Sequence, residues 1–352
     1  MLNNIQILRA VAAICVVITH IDWLQNPHFA GGAGVDLFFV ISGFIMSFTT
    51  RSRYRGGLNF MLGRVTRIVP LYWIMTLTVY CVALFAPNLV KATSTNVAEL
   101  IQSLLFIPFF KAGKATQPTL FVGWTLNYEM FFYALFALCG LAGSRLISNF
   151  CCIGLLIIAV IAGILVHPTD ASTFLYSRPI VLEFGLGQLI GIAYPLFERY
   201  KLGRISAPLA VLGALCAFWC LTGNFDNQLW DIEGPFRVPL RGGAATALVA
   251  LAVWLEVSGK RVPQGMCTGL GDASYAIYLT HAFVVIGLLK LADQMHLAGA
   301  LSILASVAVL AIACGVGFLV HILIERPSTN LVRRIFSAGD RNPERPAFNR
   351  IG

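Results

Sequence analysis

Charge is what this chain has little of. Asp, Glu, Lys and Arg make up only 12% of its 352 residues, about half the share of an ordinary soluble domain. A solvated globular surface is therefore excluded. The nine cysteines, at 15, 81, 139, 151, 152, 216, 220, 267 and 314, are odd in number, lie mostly in apolar runs and contain no CxxC spacing. They read as small apolar side chains, and neither a disulfide framework nor a metal site is expected. No internal repeat is found, whereas secondary transporters usually carry paired half-sequences with broken helices. A second soluble domain is not recognisable either.

Apolar residues are there in abundance: 58% of the chain, with a mean hydropathy of +0.79. They fall in blocks separated mostly by short polar loops, which is the pattern of an all-α polytopic membrane protein. Ten spans are expected, at about 5–23, 33–50, 69–86, 124–142, 150–166, 179–197, 205–223, 238–256, 272–291 and 299–323. With the N-terminus inside, only seven basic residues (Lys91, Lys111, Lys114, Arg178, Arg237, Arg241 and Lys290) fall outside, and the other 18 of 25 fall on the inner side. This asymmetry predicts an N-in, C-in topology. It also accounts for the net charge of +9 without a nucleic-acid partner.

The short basic start and Ala30-Gly31-Gly32-Ala33 have features of a signal peptide. Residues 21–29 are a poor approach to a cleavage site, so a retained helix is expected. The outer 87–123 connection holds an apolar stretch, Val97 to Phe110, which is too short to span comfortably and predicts a re-entrant or interfacial helix. The expected membrane domain covers 1–336. Residues 337–352, polar and carrying Pro343 and Pro346, are expected to form a disordered cytosolic tail.

Polar residues inside the spans point to chemistry, because a charge in the bilayer is costly unless it faces a cavity or a partner. Arg9 and His20 are eleven residues apart in the first span. Eleven helical steps turn about 1100°, roughly 20° past three full circles, and rise about 16 Å. The two side chains thus share one helix face, a cation near one surface and an imidazole near the other. Asp36 and Glu129 enter the second and fourth spans from the His20 side. Each is a candidate to orient the imidazole during proton transfer, or else a helix N-terminal residue stabilised by the helix dipole. Arg64 and Arg67, at i and i+3, are neighbours on a helix face. They read either as a phosphate-binding fork or as a topology signal of the kind that accounts for Arg51, Arg53 and Arg55. His281, with Tyr275 and Tyr278 near it, either lines an acceptor pocket or tunnel or bonds another helix. Ser42 reads as a packing residue, His321 as structural, and Trp124 and Trp230 as aromatic-belt residues that are also able to stack on a sugar.

These residues together resemble the family-3 membrane acyltransferases, which O-acylate surface and exported glycans in bacteria. Arg9 and His20 match the family's Arg-or-Lys, ten residues, His motif. Gly34-Val-Asp-Leu-Phe-Phe-Val-Ile-Ser-Gly43 matches its second-span signature. Arg64-Val-Thr-Arg-Ile-Val-Pro-Leu-Tyr72 and Trp124-Thr-Leu-Asn-Tyr-Glu-Met-Phe-Phe-Tyr133 match two more, followed by Leu270-Gly-Asp-Ala-Ser-Tyr-Ala-Ile-Tyr-Leu-Thr-His281 and Glu325-Arg-Pro327. Each motif is weak alone, but their order covers nearly the whole chain, which looks most like the stand-alone exopolysaccharide acetyltransferases.

The resemblance implies a cytosolic acyl-coenzyme A donor, most simply acetyl-coenzyme A, and a lipid-linked or polymeric glycan acceptor at the outer face of the inner membrane. Arg9, Arg64 and Arg67 would hold the donor, with Glu325 ordering them by ion pairing. His20 would be the general base, with Asp36 or Glu129 orienting it, and Tyr72, Trp124, Tyr133 and His281 would line the acceptor pocket or tunnel. The other function classes are a polysaccharide-precursor transporter or flippase and a non-catalytic subunit of an export complex. Neither requires acyl-coenzyme A and a titrating imidazole. Small residues in the spans permit helix contacts within one chain or between copies, so the oligomeric state stays open.

Overall fold

A computed structural model of the chain describes residues 2–21, 31–51, 57–90, 93–111, 117–201, 206–222, 237–294 and 300–338. The expectations placed on Arg53, Arg55, Lys91, Lys114, Arg204, Trp230, residues 22–29 and the tail beyond 338 lie outside these residues. Among the described residues every principal element is helical. In chain order they are α1 (Asn3–Thr19), α2 (Gly34–Thr49), α3 (Gly57–Phe85), α4 (Val97–Leu104), α5 (Trp124–Cys139), α6 (Arg145–Val166) and α7 (Ala171–Tyr176). Then come α8 (Leu182–Arg199), α9 (Ser206–Thr222), α10 (Gly243–Val257), α11 (Met266–Asp272), α12 (Ser274–Gln294), α13 (Ala300–Val320) and α14 (Arg326–Ala338).

Six helical segments are long and apolar enough to cross a bilayer, or seven if the pair Met266–Asp272 and Ser274–Leu288, bent by 78°, is taken as one span. Three further apolar helices, Asn3–Thr19, Gly34–Thr49 and Pro208–Thr222, fall below that length. All ten expected spans therefore coincide with helices, and six or seven of them meet the length and hydropathy of a crossing. The periphery is turned inside out relative to a soluble protein. Ile158, Ile164 and Leu165 on α6, Leu209, Leu215 and Trp219 on α9, and Leu301, Leu304 and Leu323 on and beyond α13 are all exposed. Apolar surface on this scale calls for lipid. The chain has the build of a multi-pass membrane protein.

α1 sits at the centre, with α2, α10, α11, α12 and α13 packed on it. Its free N-terminal amides are satisfied in trans: Asn3 and Asn4 donate backbone N–H to the two Glu256 carboxylate oxygens, at 2.8 Å each. A carboxylate there also complements the helix dipole. The tightest helix pair is α2 on α8. A Cβ at Gly43 would strike the Phe184 carbonyl, and one at Gly187 would strike that of Val40. Small residues let the two backbones approach, which is how helices bind one another without a hydrophobic drive from water. Arg145 ties the far end of the same pair by donating to the Ser47 and Gly191 carbonyls at 3.3 and 2.9 Å.

Two boundaries differ from expectation in ways that matter for the site. α3 begins at Gly57, twelve residues before the expected span, and runs through Pro70. Proline is tolerated inside membrane helices, so Arg64, Arg67 and Tyr72 belong to one continuous helix. The outer-loop helix is shorter than the apolar stretch suggests. α4 is capped by the Asn96 side chain, which accepts from Ala98 N–H at 2.8 Å, and it stops where Phe106 turns left-handed at φ 58°.

Candidate active site

A cavity of about 750 Å³, counting its open mouth, lies between α1, α2, α3, α5 and α12. Three guanidiniums line it, Arg9 from α1 and Arg64 and Arg67 from α3, together with the single carboxylate Glu129 from α5. Helical spacing explains the convergence. Phe38, Ser42, Ile45 and Met46 form one stripe of α2 facing the cavity, and Arg64, Arg67 and Ile68 form one stripe of α3. Arg9 is buried and donates to Gln6 Oε1 at 3.1 Å, and Gln6 in turn donates to Asp272 on α11. Arg64 lies over the rings of Phe60 and Tyr133, with its guanidinium carbon 5.4 and 6.0 Å from their centroids. No ion pair to a carboxylate is recorded for Arg64 or Arg67 among the described residues. Glu129 accepts hydrogen bonds from the Tyr133 hydroxyl and, at 3.0 Å, from Ser42. The cavity therefore carries more positive than negative charge and holds open guanidinium forks, a combination that suits phosphates.

His20 lies just past the last turn of α1, half-buried. Its Nδ1 is 2.8 Å from the Val16 carbonyl. A carbonyl only accepts, so Nδ1 carries the hydrogen and Nε2 keeps the lone pair. The neighbouring rings are Phe121 at 5.6 Å and His281 at 4.9 Å, centroid to centroid. His281 is fully buried, and its Nδ1 lies 2.6 Å from the Tyr278 carbonyl, which assigns it the same tautomer. Its Nε2 has no hydrogen-bond partner; an unpaired buried acceptor of this kind costs about 1–3 kcal/mol. Tyr278 stands between the imidazoles and the cavity. It lines the cavity, its hydroxyl bonds Val122 O at 2.8 Å and Thr125 at 2.7 Å, and its ring is 5.9 Å from that of His281.

Neither carboxylate expected to orient His20 is among its recorded partners. Asp36 is fully buried on a different flank of α2, the one that carries Val40, Gly43 and Ser47 toward α8. There Arg237 Nη2 lies 2.8 Å from its Oδ1, a close charge contact outside hydrogen-bond angles. Arg237 Nε is 3.7 Å from Glu183 Oε1, and Arg241 completes a buried group of two carboxylates and two guanidiniums. Attraction between opposite charges in a low-dielectric interior outweighs what a half-exposed imidazole offers. Glu129 turns instead to the cavity. Glu325, expected to order the arginines, is close enough to act on the Arg9 charge and also pairs with His321, Nδ1 to Oε2 at 2.7 Å, while Arg326 donates to the other His321 nitrogen at 3.0 Å. Of the expected pocket residues, Tyr133 lines the cavity and His281 meets His20. Tyr72 is buried elsewhere, donating to Ser103 O at 3.1 Å and stacking on Phe106, where it anchors α4. Trp124 packs edge-on to Tyr128 at 6.0 Å.

The sequence reading missed Gln6 in the site, read Ser42 only as a packing residue and named Tyr275 and Tyr278 only as neighbours of His281; it also missed Glu183, Arg237 and Arg241 as a buried charge group. Gln6 was findable, because it sits one turn before Arg9 on the same face. Arg237 and Arg241 looked like loop cations at a span boundary.

The family model of the acyltransferase domain numbered 3 matches residues 2–325 of this chain. The chain belongs to the family-3 acyltransferases. This acyltransferase is 37% identical over 316 residues to the exopolysaccharide production protein ExoZ of Rhizobium meliloti (strain 1021), covering 87% of this chain and 92% of that one. It is 25% identical to the acyltransferase MdmB of Streptomyces mycarofaciens over 93% of this chain and 91% of the relative. It is also 24% identical to YrhL of Bacillus subtilis (strain 168), whose name assigns it provisionally to peptidoglycan O-acetylation, over 79% of this chain and 48% of that protein. No solved structure matches it.

Proposed function

We propose that this acyltransferase moves an acetyl group from cytosolic acetyl-coenzyme A, through the bilayer, to a hydroxyl of an exported or surface polysaccharide. The observation that carries this reading is the geometry of α1. Arg9 opens onto a cavity with an excess of guanidiniums, and His20 stands about 16 Å further along the same helix face. In this reading the helix crosses the inner membrane of a bacterium with its N-terminus inside, as one of ten spans. Arg64 and Arg67 hold the donor phosphates, with Arg9 deeper in the cavity. The thin pantetheine arm carries the acyl group toward His20. The exopolysaccharide named in the relative from Rhizobium meliloti supports a glycan acceptor.

His20 Nε2 takes the proton from the acceptor hydroxyl as that oxygen bonds to the thioester carbonyl carbon. The C–S bond then breaks, and the departing thiolate recovers the proton, leaving an ester and free coenzyme A. Tyr133 and Ser42 fix the Glu129 carboxylate beside the arginines. Asp36, with Arg237, fixes the α2–α8 wall rather than the imidazole.

The test uses inside-out membrane vesicles containing the full chain, supplied with acetyl-coenzyme A labelled on the acetyl group. Label should enter alkali-labile ester on extracted glycan in wild type and not in His20→Ala present at equal amount. Equal labelling in both would remove His20 from the mechanism. Labelling from succinyl- but not acetyl-coenzyme A would correct the donor.

A further inference from the structure

Two imidazoles 261 positions apart in the chain lie with ring centroids 4.9 Å apart and planes inclined by 60°. Each gives its Nδ1 hydrogen to a backbone carbonyl of its own helix, so each keeps a bare lone pair at Nε2. His20 is half-buried and open to a reaction partner. His281 is wholly buried, and its Nε2 meets no donor. In this neutral state the buried lone pair is wasted. Two protonated rings at this distance would repel. The two Nε2 atoms make no hydrogen bond to each other in this structure, but protonation at Nε2 turns His20 into a donor, and the imidazole packed on it, His281, holds the unpaired buried acceptor.

We propose that His20 and His281 act as a one-proton pair, in which His281 is a positioning residue that accepts from the His20 imidazolium and so strengthens His20 as a base. This deepens the proposed function and rests on its assignment of His20. Protons balance without a further reactant: the hydroxyl proton enters the pair at His20 Nε2, is shared with His281 Nε2, and leaves to the thiolate. The groups facing the pair leave His281 this role alone. Phe121 presents a hydrocarbon ring, and the Tyr278 hydroxyl is committed to Val122 O and Thr125. No carboxylate is recorded within ion-pair distance of His20 among the described residues. Asp36 faces Arg237, and Glu129 faces Ser42 and Tyr133.

The experiment compares transfer rates across pH for full-length wild type, His281→Leu, His281→Gln and His20→Ala in membranes, at matched protein. His281→Leu removes the acceptor and should lower kcat at neutral pH by about tenfold or more, the worth of one hydrogen bond to a charged group. It should also move the acid limb of the rate profile to lower pH, because the protonated base has lost its stabiliser. His281→Gln keeps a carbonyl acceptor and should recover most of the rate. Wild-type kinetics in His281→Leu would overturn the pair. So would equal losses in the Leu and Gln variants with an unmoved acid limb, the pattern of a purely structural residue. If the Leu variant does not accumulate, the Gln variant decides alone: a near-normal rate is the expected result, and inactivity at normal protein levels overturns the pair. Activity in His20→Ala would instead sink the underlying assignment of His20, and is read separately.

Discussion

Two groups of arginines sit among apolar helices on different flanks of α2, and their surroundings are opposite. Arg237 and Arg241 are nearly inaccessible, 3% and 8% exposed, and they face two carboxylates, Asp36 and Glu183, each at 0%. Their formal charges balance, and neither arginine is among the residues lining the cavity. Arg9, Arg64 and Arg67 line an open cavity whose one lining carboxylate is Glu129, while Glu325 and Asp272 act on Arg9 from outside that lining. A balanced, closed group has spent its charge on holding α2, α8 and the start of α10 together. An unbalanced, open one has charge left for a ligand. Burial of an ionisable side chain in a membrane helix therefore does not by itself mark the active site; the residual charge and the access to it do.

The comparison breaks most readily at Arg237. Arg237→Ala would strand two buried carboxylates beside one guanidinium, and removing one partner of a buried pair costs about 3–5 kcal/mol. The thermal unfolding midpoint of the solubilised protein should drop sharply, and an unchanged midpoint would mean the group holds nothing. A smaller effect, on a different readout, is expected from Arg64→Ala and Arg67→Ala. Each should raise the half-saturating donor concentration about tenfold, the equivalent of about 1.4 kcal/mol, while leaving acceptor dependence and the unfolding midpoint in place. Donor titrations that superimpose on wild type would remove the phosphate fork. The smallest effect should come from Arg51→Ala. Its pair with Glu198 is short at 2.7 Å, but the side chains are 34% and 45% exposed, and exposed pairs contribute about 0–1 kcal/mol. A large loss of stability or activity there would contradict the assignment of fold stability and donor binding to the two inner arginine groups.

Much of this was legible in the sequence because it is local and periodic. Arg9 with His20, and Arg64 with Arg67, share faces by helical arithmetic alone, and all ten apolar blocks are helices. What was not legible depends on distant partners. Asp36 meets Arg237 across 201 positions, and no pattern within either segment announces it. The His20–His281 contact is of the same kind. Glu325 is the instructive case between these. Its partner His321 is four residues back on the same helix, a spacing open to sequence reasoning, while its action on the Arg9 charge is the kind of contact that only the family motif pointed to.

The most direct test of the account is whether coenzyme A protects the folded protein, and through which residues. At a free concentration about a hundredfold above its Kd, a ligand bound only by the folded state adds about 2.7 kcal/mol of stability. Coenzyme A should raise the unfolding midpoint of the solubilised wild-type protein and leave that of an Arg64→Ala, Arg67→Ala double variant where it was. Equal protection of both would place the donor somewhere other than this cavity, and would contradict the account at its centre.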